Sequence, residues 1–105
     1  MGEEARGGTS GGPLRIEAVG EVLRVSGRVT ADLAGDLLKV GMDLLQGISV
    51  VDLEGIAEND SSLLALLLAW VRAAGGRRLS IVHAPPNLRH LAGLYGVEEF
   101  LPFAV

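Results

Sequence analysis

The stretch Asn59-Asp60-Ser61-Ser62-Leu63-Leu64-Ala65-Leu66-Leu67-Leu68-Ala69-Trp70 reads as the opening of a helix. Asn, Asp and Ser are preferred helix caps because their side-chain oxygens accept from the free N–H groups of the first turn, worth on the order of 1 kcal/mol. Two hydroxyls beside a capping acid are more than one cap requires. The apolar run continues to Val71 and stops at Gly75-Gly76, which predicts a helix over about 61–74. A helix lying on a sheet needs one apolar stripe. Leu63, Leu64, Leu66, Leu67, Leu68, Trp70 and Val71 exceed one stripe. Either a neighbouring helix or a partner protein covers the excess. At least one of Leu66, Leu67 and Trp70 is therefore expected to stand exposed in the isolated chain.

Working outward, Ile48, Val50, Val51 and Leu53 form a nearly continuous apolar strand before this helix, joined to it by a polar loop over 54–59. Leu79, Ile81 and Val82 form another strand after it. Nearer the start, Leu14, Ile16 and Ala18 alternate with Arg15 and Glu17, the pattern of a half-buried strand. Gly20 turns the chain into a second strand carrying Val22, Leu23 and Val25. Thr30 or Asp32 caps a first helix whose apolar side holds Leu33, Leu37, Leu38, Leu44 and Leu45, opposite Asp36, Lys39 and Asp43, and Gly47 closes it. Pro85-Pro86 opens a third helix, with Leu88, Leu91, Leu94 and Tyr95 as its expected buried face and Gly96 at its end. Val97, Phe100, Leu101 and Phe103 read as a terminal packing segment. The order β-β-α-β-α-β-α predicts an α/β domain: a mixed four-stranded sheet packed with three helices, its crossovers right-handed.

The 105 residues suffice for one domain, and 49% hydrophobic with 21% charged residues is the composition of a folded one. Only 4% are aromatic, so the core must be aliphatic. Residues 1–13, rich in glycine, are expected to be a flexible tail before a domain over 14–105. A net charge of −4, with basic residues scattered apart from Arg77-Arg78, argues against nucleic acid as a partner. The absence of cysteine excludes disulfides and thiolate chemistry. The start lacks the basic-then-apolar run of a secretory signal. The longest apolar run, Leu63 to Val71, falls short of the roughly 20 residues a membrane helix needs, so no direct membrane insertion and a cytoplasmic location are expected.

Candidate chemistry is sparse. His83 and His90 fall on different elements with no third ligand at a recognisable spacing, so no metal site is expected. Asp52, Glu54, Glu58 and Asp60 cluster around one strand-to-helix loop, and with no nucleophile or cofactor motif beside them they read as a solvated rim. Lys39, the only lysine, has no phosphate-binding loop around it. Neither enzymatic activity nor a cofactor is expected.

Asp60-Ser61-Ser62 resembles the Asp-Ser-Ser-Gly or Asp-Thr-Ser-Gly signature of STAS domains, the family of anti-sigma-factor antagonists. The continuation Leu64-Ala65-Leu66-Leu67-Leu68, followed by Trp70, looks more specifically like the MlaB group within it. These are the small STAS subunits of bacterial ABC transporters that maintain outer-membrane lipid asymmetry. Val51-Asp52-Leu53-Glu54-Gly55-Ile56 and Asn87-Leu88-Arg89-His90-Leu91-Ala92-Gly93-Leu94-Tyr95-Gly96-Val97 agree, in the right order, so the resemblance spans about 14–103.

The resemblance implies a STAS-like fold and a non-enzymatic regulatory subunit. That subunit binds the transporter's ATPase and so lies at the inner membrane through its complex. It also implies that Ser61 matches the hydroxyl phosphorylated in anti-sigma antagonists and lies at the ATPase contact in MlaB-like proteins. Asp60, Ser62, Leu63, Leu66, Leu67 and Trp70 would surround it as partner-binding residues. Leu63 stands where the family usually has Gly, which places bulk beside the hydroxyls. The alternative is an anti-sigma-factor antagonist that binds an anti-sigma kinase and is released when Ser61 is phosphorylated.

Overall fold

The computed structural model describes residues 14–75 and 78–104; the tail expected over 1–13 lies outside them. Strand β1 (Arg15–Val19) turns at Gly20, whose φ of +62° suits glycine, into the antiparallel strand β2 (Val22–Val29). Helix α1 (Ala31–Leu44) follows Thr30 and leads to β3 (Val50–Asp52). Then come β4 (Ile56–Asn59), α2 (Ser61–Ala73), β5 (Ser80–Val82) and α3 (Pro86–Leu94), with a short 3-10 turn over Glu98–Phe100. The sheet order is β1-β2-β3-β5, with β2, β3 and β5 parallel. Beyond β5 the chain end adds a bridge between Ile81 and Phe103.

The sheet has five strands rather than the expected four. Eight-residue β2 outruns three-residue β3, so the far end of β2 would keep unpaired backbone groups. The segment expected as a polar loop fills that edge: β4 pairs with β2 through Gly27↔Ile56, Arg28↔Glu58 and Val29↔Asn59. Gly55 permits the approach, because a Cβ there would lie 2.5 Å from the Ser26 Cβ.

Alternation along β2 sorts the two faces. Leu23, Val25 and Val29 are buried while Arg24 and Arg28 are exposed. With Val51, Leu53 and Ile81 they form the sheet side of the core, against Leu37 and Leu45, the leucines of α2, and Leu88 and Ala92 of α3. The third helix buries less than its sequence suggests. Leu94 and Tyr95 are 68% and 59% exposed, not part of the buried face. Leu94 lies about 120° round the helix from Leu88, Ala92 takes the inward position one turn after Leu88, and at Tyr95 the helix has already ended.

The apolar excess of α2 is core packing. Leu66, Leu67 and Trp70 are 3%, 1% and 0% exposed, so none of the three is the exposed side chain that the composition suggested. The reason is α1, which covers the second side of α2. It carries Gly41 where the two helices meet, and a Cβ there would overlap the Trp70 indole. The missing side chain makes room for the ring, whose Nε1–H donates to the Leu38 carbonyl at 3.4 Å.

Candidate functional site

Strand β4 runs straight into α2, so the last polar residue of the strand sits beside the helix start. Asp60 is the cap: its backbone is extended and its carboxylate accepts from the Ser62 N–H at 2.8 Å. The Leu63 N–H is satisfied by the Asp60 carbonyl at 3.1 Å. Ser61 is therefore not the cap, and it stands exposed at the first helical position. Just before it, Asn59 Nδ2 donates to Asn87 Oδ1 at 3.2 Å and Asn87 Nδ2 returns a bond to Asn59 Oδ1 at 3.1 Å. This reciprocal amide pair ties the approach to α2 to the first turn of α3.

From the hydroxyl end, an open groove of about 280 Å³ runs between α1 and α2, lined by Gly35, Leu38, Ser62, Ala65, Leu66 and Ala69. Ser62, Ala65, Leu66 and Ala69 recur at the spacing of one helical face. Three of the four are small, which keeps the groove open above the packed leucines. The surface thus pairs a hydroxyl end with an apolar trough.

The residues expected at the site divide sharply. Asp60 and Ser61 are exposed and Ser62 is half-buried, so these three are brought together at the surface. Leu66 reaches the groove only with its edge, and Leu63, Leu67 and Trp70 belong to the core. Leu63 in particular is fully buried, so its bulk enters the core instead of crowding the hydroxyls. Ala65, Ala69, Leu38 and Gly35 are the groove residues that the sequence reasoning missed. Their signal was there in part: two alanines four apart interrupt a leucine run.

A second polar group lies where β3 and β5 end. Asp52 Oδ1 is 2.9 Å from His83 Nδ1 and accepts from the Glu54 backbone N–H at 2.9 Å. Partial burial alone would raise the Asp52 carboxyl. The His83 hydrogen bond, the Glu54 N–H and the charges of His83 and Arg24 outweigh it and hold the carboxyl below the usual aspartate range. The same hydrogen bond holds His83 above an ordinary histidine against the opposing effect of desolvation, with the charges of Asp52 and Glu54 adding to it.

A family model described as "Mlab, STAS domain" matches residues 13–102. The chain belongs to the STAS domain family. No curated protein matches it significantly. Among solved structures, the anti-sigma factor antagonist SpoIIAA in its unphosphorylated form is similar at a TM-score of 0.64 and 18% identity, with 89% of each chain covered. The phosphorylated form of SpoIIAA, the Bacillus cell fate determinant, is similar at 0.57 and 16% identity, covering 89% of this chain and 92% of that one. At such identities the likeness is one of fold: this STAS domain has the mixed α/β architecture of SpoIIAA. Among the described residues no helix is long and apolar enough to cross a membrane.

Proposed function

We propose that this STAS domain is a non-enzymatic adaptor that binds and regulates the ATPase subunit of a bacterial ABC phospholipid transporter, of the kind that maintains outer-membrane lipid asymmetry. The observation that carries this reading is the exposed Ser61 next to Ser62, which lines the α1–α2 groove, on a chain matched by the MlaB-type family model. An apolar trough with a polar end suits a protein surface: the trough supplies buried area and the hydroxyls fix register. Docking regulates the ATPase only through differential affinity for its states, so the adaptor binds the assembled, active state more tightly. The domain would then lie on the cytoplasmic side of the inner membrane, held there by its partner.

Likeness to SpoIIAA in both phosphorylation states favours a second reading, an anti-sigma-factor antagonist that binds an anti-sigma kinase. An exposed serine at a helix start accepts a phosphate without unfolding the helix, because the N-terminal end of a helix favours an anion.

Co-purification of the tagged full chain with each partner tests both. The adaptor reading expects capture of the transporter ATPase, lost with Ala65→Arg, which fills the groove from an exposed position. Capture of the ATPase undiminished by a folded Ala65→Arg protein would remove the groove from the interface. Capture of a kinase instead, with phosphate transferred to Ser61, would replace the first reading by the second.

A further inference from the structure

We propose that Asp52, Glu54 and His83 form a binding site for a divalent transition-metal ion, with Zn2+ as the representative ion. One ligand atom from each of these side chains can be chosen so that all three lie within 4.8 Å of one another. They come from two places far apart in sequence. Asp52 is the last residue of β3, Glu54 follows two residues on, and His83 comes directly after β5. The parallel register Asp52↔Val82 sets the two strand ends side by side. Among the described residues His83 is the one non-glycine with positive φ, at 57°. The reversal of the chain there delivers the imidazole to Asp52.

The donor set selects the ion. One imidazole nitrogen with two carboxylates suits Zn2+, Co2+ or Ni2+, whereas Ca2+ and Mg2+ take all-oxygen sets and soft ions take sulfur. Three protein ligands leave a coordination position for water. A cavity of about 410 Å³ opens on the two carboxylates, Asp52 and Glu54, with Glu17, Arg24, Val25, Ser26 and Gly55 as the rest of its lining, and His83 approaches Asp52 from outside that lining. Asp52 is already oriented by the Glu54 N–H, and Glu54 is exposed and free to swing inward. Arg24 is the opposing charge. It is the register partner of Asp52 on β2 and faces Glu17 on β1, so it competes with a cation for the Asp52 carboxylate. A bound ion would clamp the β3–β4 connection to the β5–α3 connection.

The chain contains only His83 and His90, so NMR of the side-chain imidazole nitrogens separates the two without ambiguity. The full chain is stripped with a chelator, dialysed and titrated with zinc sulfate, with calorimetry and thermal melts in parallel. One equivalent of Zn2+ is expected to move the His83 resonances, leave those of His90, and raise the melting temperature. His83→Asn keeps a residue type that tolerates positive φ and should weaken binding by about tenfold or more, since loss of even an outer-shell partner of a metal ligand has an effect of that size. Arg24→Gln should tighten it. Calcium and magnesium should leave the imidazoles unmoved. Zinc binding of equal strength in wild type and folded His83→Asn, displacement of His90 in place of His83, or no binding at millimolar zinc would each overturn the proposal. If His83→Asn fails to fold, the wild-type imidazole shifts and the Arg24→Gln affinity still decide it.

Discussion

Replacing Gly41 by alanine puts a methyl group where the Trp70 indole already lies. The three nearest atoms to that Cβ are Cζ2, Cε2 and Nε1 of the ring, all in one rigid group that is fully buried. Two effects oppose. Alanine in a helix interior is favoured over glycine by about 1 kcal/mol. Overpacking a tight core costs about 1–3 kcal/mol, and a buried ring cannot swing aside as an exposed chain end can. The rigid ring puts the overpacking cost in the upper part of that range, so after the helix gain Gly41→Ala should destabilise by about 1–2 kcal/mol, which lowers the melting temperature by roughly 4–8 °C per kcal/mol in a domain of this size. Trp70→Phe replaces the indole by a single smaller ring without Nε1 or Cζ2, and should cost about 1–2 kcal/mol alone. In that background Gly41→Ala keeps its helix gain and loses its clash, so it should be neutral or slightly stabilising. The cycle predicts a favourable coupling of about 1–3 kcal/mol, measured by urea unfolding of the four proteins. Strict additivity would refute the seating of Trp70 on Gly41. It would also reopen the role of Trp70 as a docking residue, which the packing now denies it.

Three further outcomes are expected. Ser61→Asp should keep the melting temperature within a few degrees, because the helix start offers the anion about 0.3–1 kcal/mol and the cap is Asp60, not Ser61. It should lose the co-purifying ATPase, since a charge beside Asp60 must be desolvated on docking; a folded variant that keeps full binding removes Ser61 from the interface. Gly55→Ala should destabilise by about 1–3 kcal/mol through the Ser26 contact and speed exchange of the Gly27 amide, which donates to the Gly55 carbonyl at 2.9 Å; unchanged exchange would mean that β4 does not pair as described. In chelator-containing buffer the Asp52–His83 pair has a defined window. The His83 value is raised, so its contribution is present below the unfolded value of about 6.5 and is lost as pH rises through the folded value. The Asp52 value is lowered, so its contribution is present above about 3.8 and is lost as pH falls through the folded value. NMR titration of Asp52→Asn should bring His83 back towards the ordinary histidine value, and a His83 that stays raised would place the cause elsewhere.

Much of the fold is local and so was legible in the sequence. The alternation around Ile16, the cap at Asp60 and the glycines at Gly20 and Gly75 act over a few residues, and they set the strands, the helices and their order. The family resemblance of Asp60-Ser61-Ser62 is local in the same way. What the sequence could state of α2 was a quantity: more apolar surface than one sheet face can cover. Whether a partner or α1 covers it depends on Gly41, 29 positions before Trp70, and no periodicity within either helix reports that meeting. Strand β4 escaped for a related reason. Ile56-Ala57-Glu58-Asn59 has a loop's composition, and it becomes a strand because β2 is longer than β3 and leaves an edge to be paired. The exposure of Leu94 followed from which side of α3, that of Leu88 and Ala92, meets the core. The Asp52–His83 contact, 31 positions apart, required two parallel strands to end side by side. Local pattern determines how much surface a segment must bury and where its backbone turns; only the packed chain decides against what it is buried, because that choice is made between residues distant in sequence.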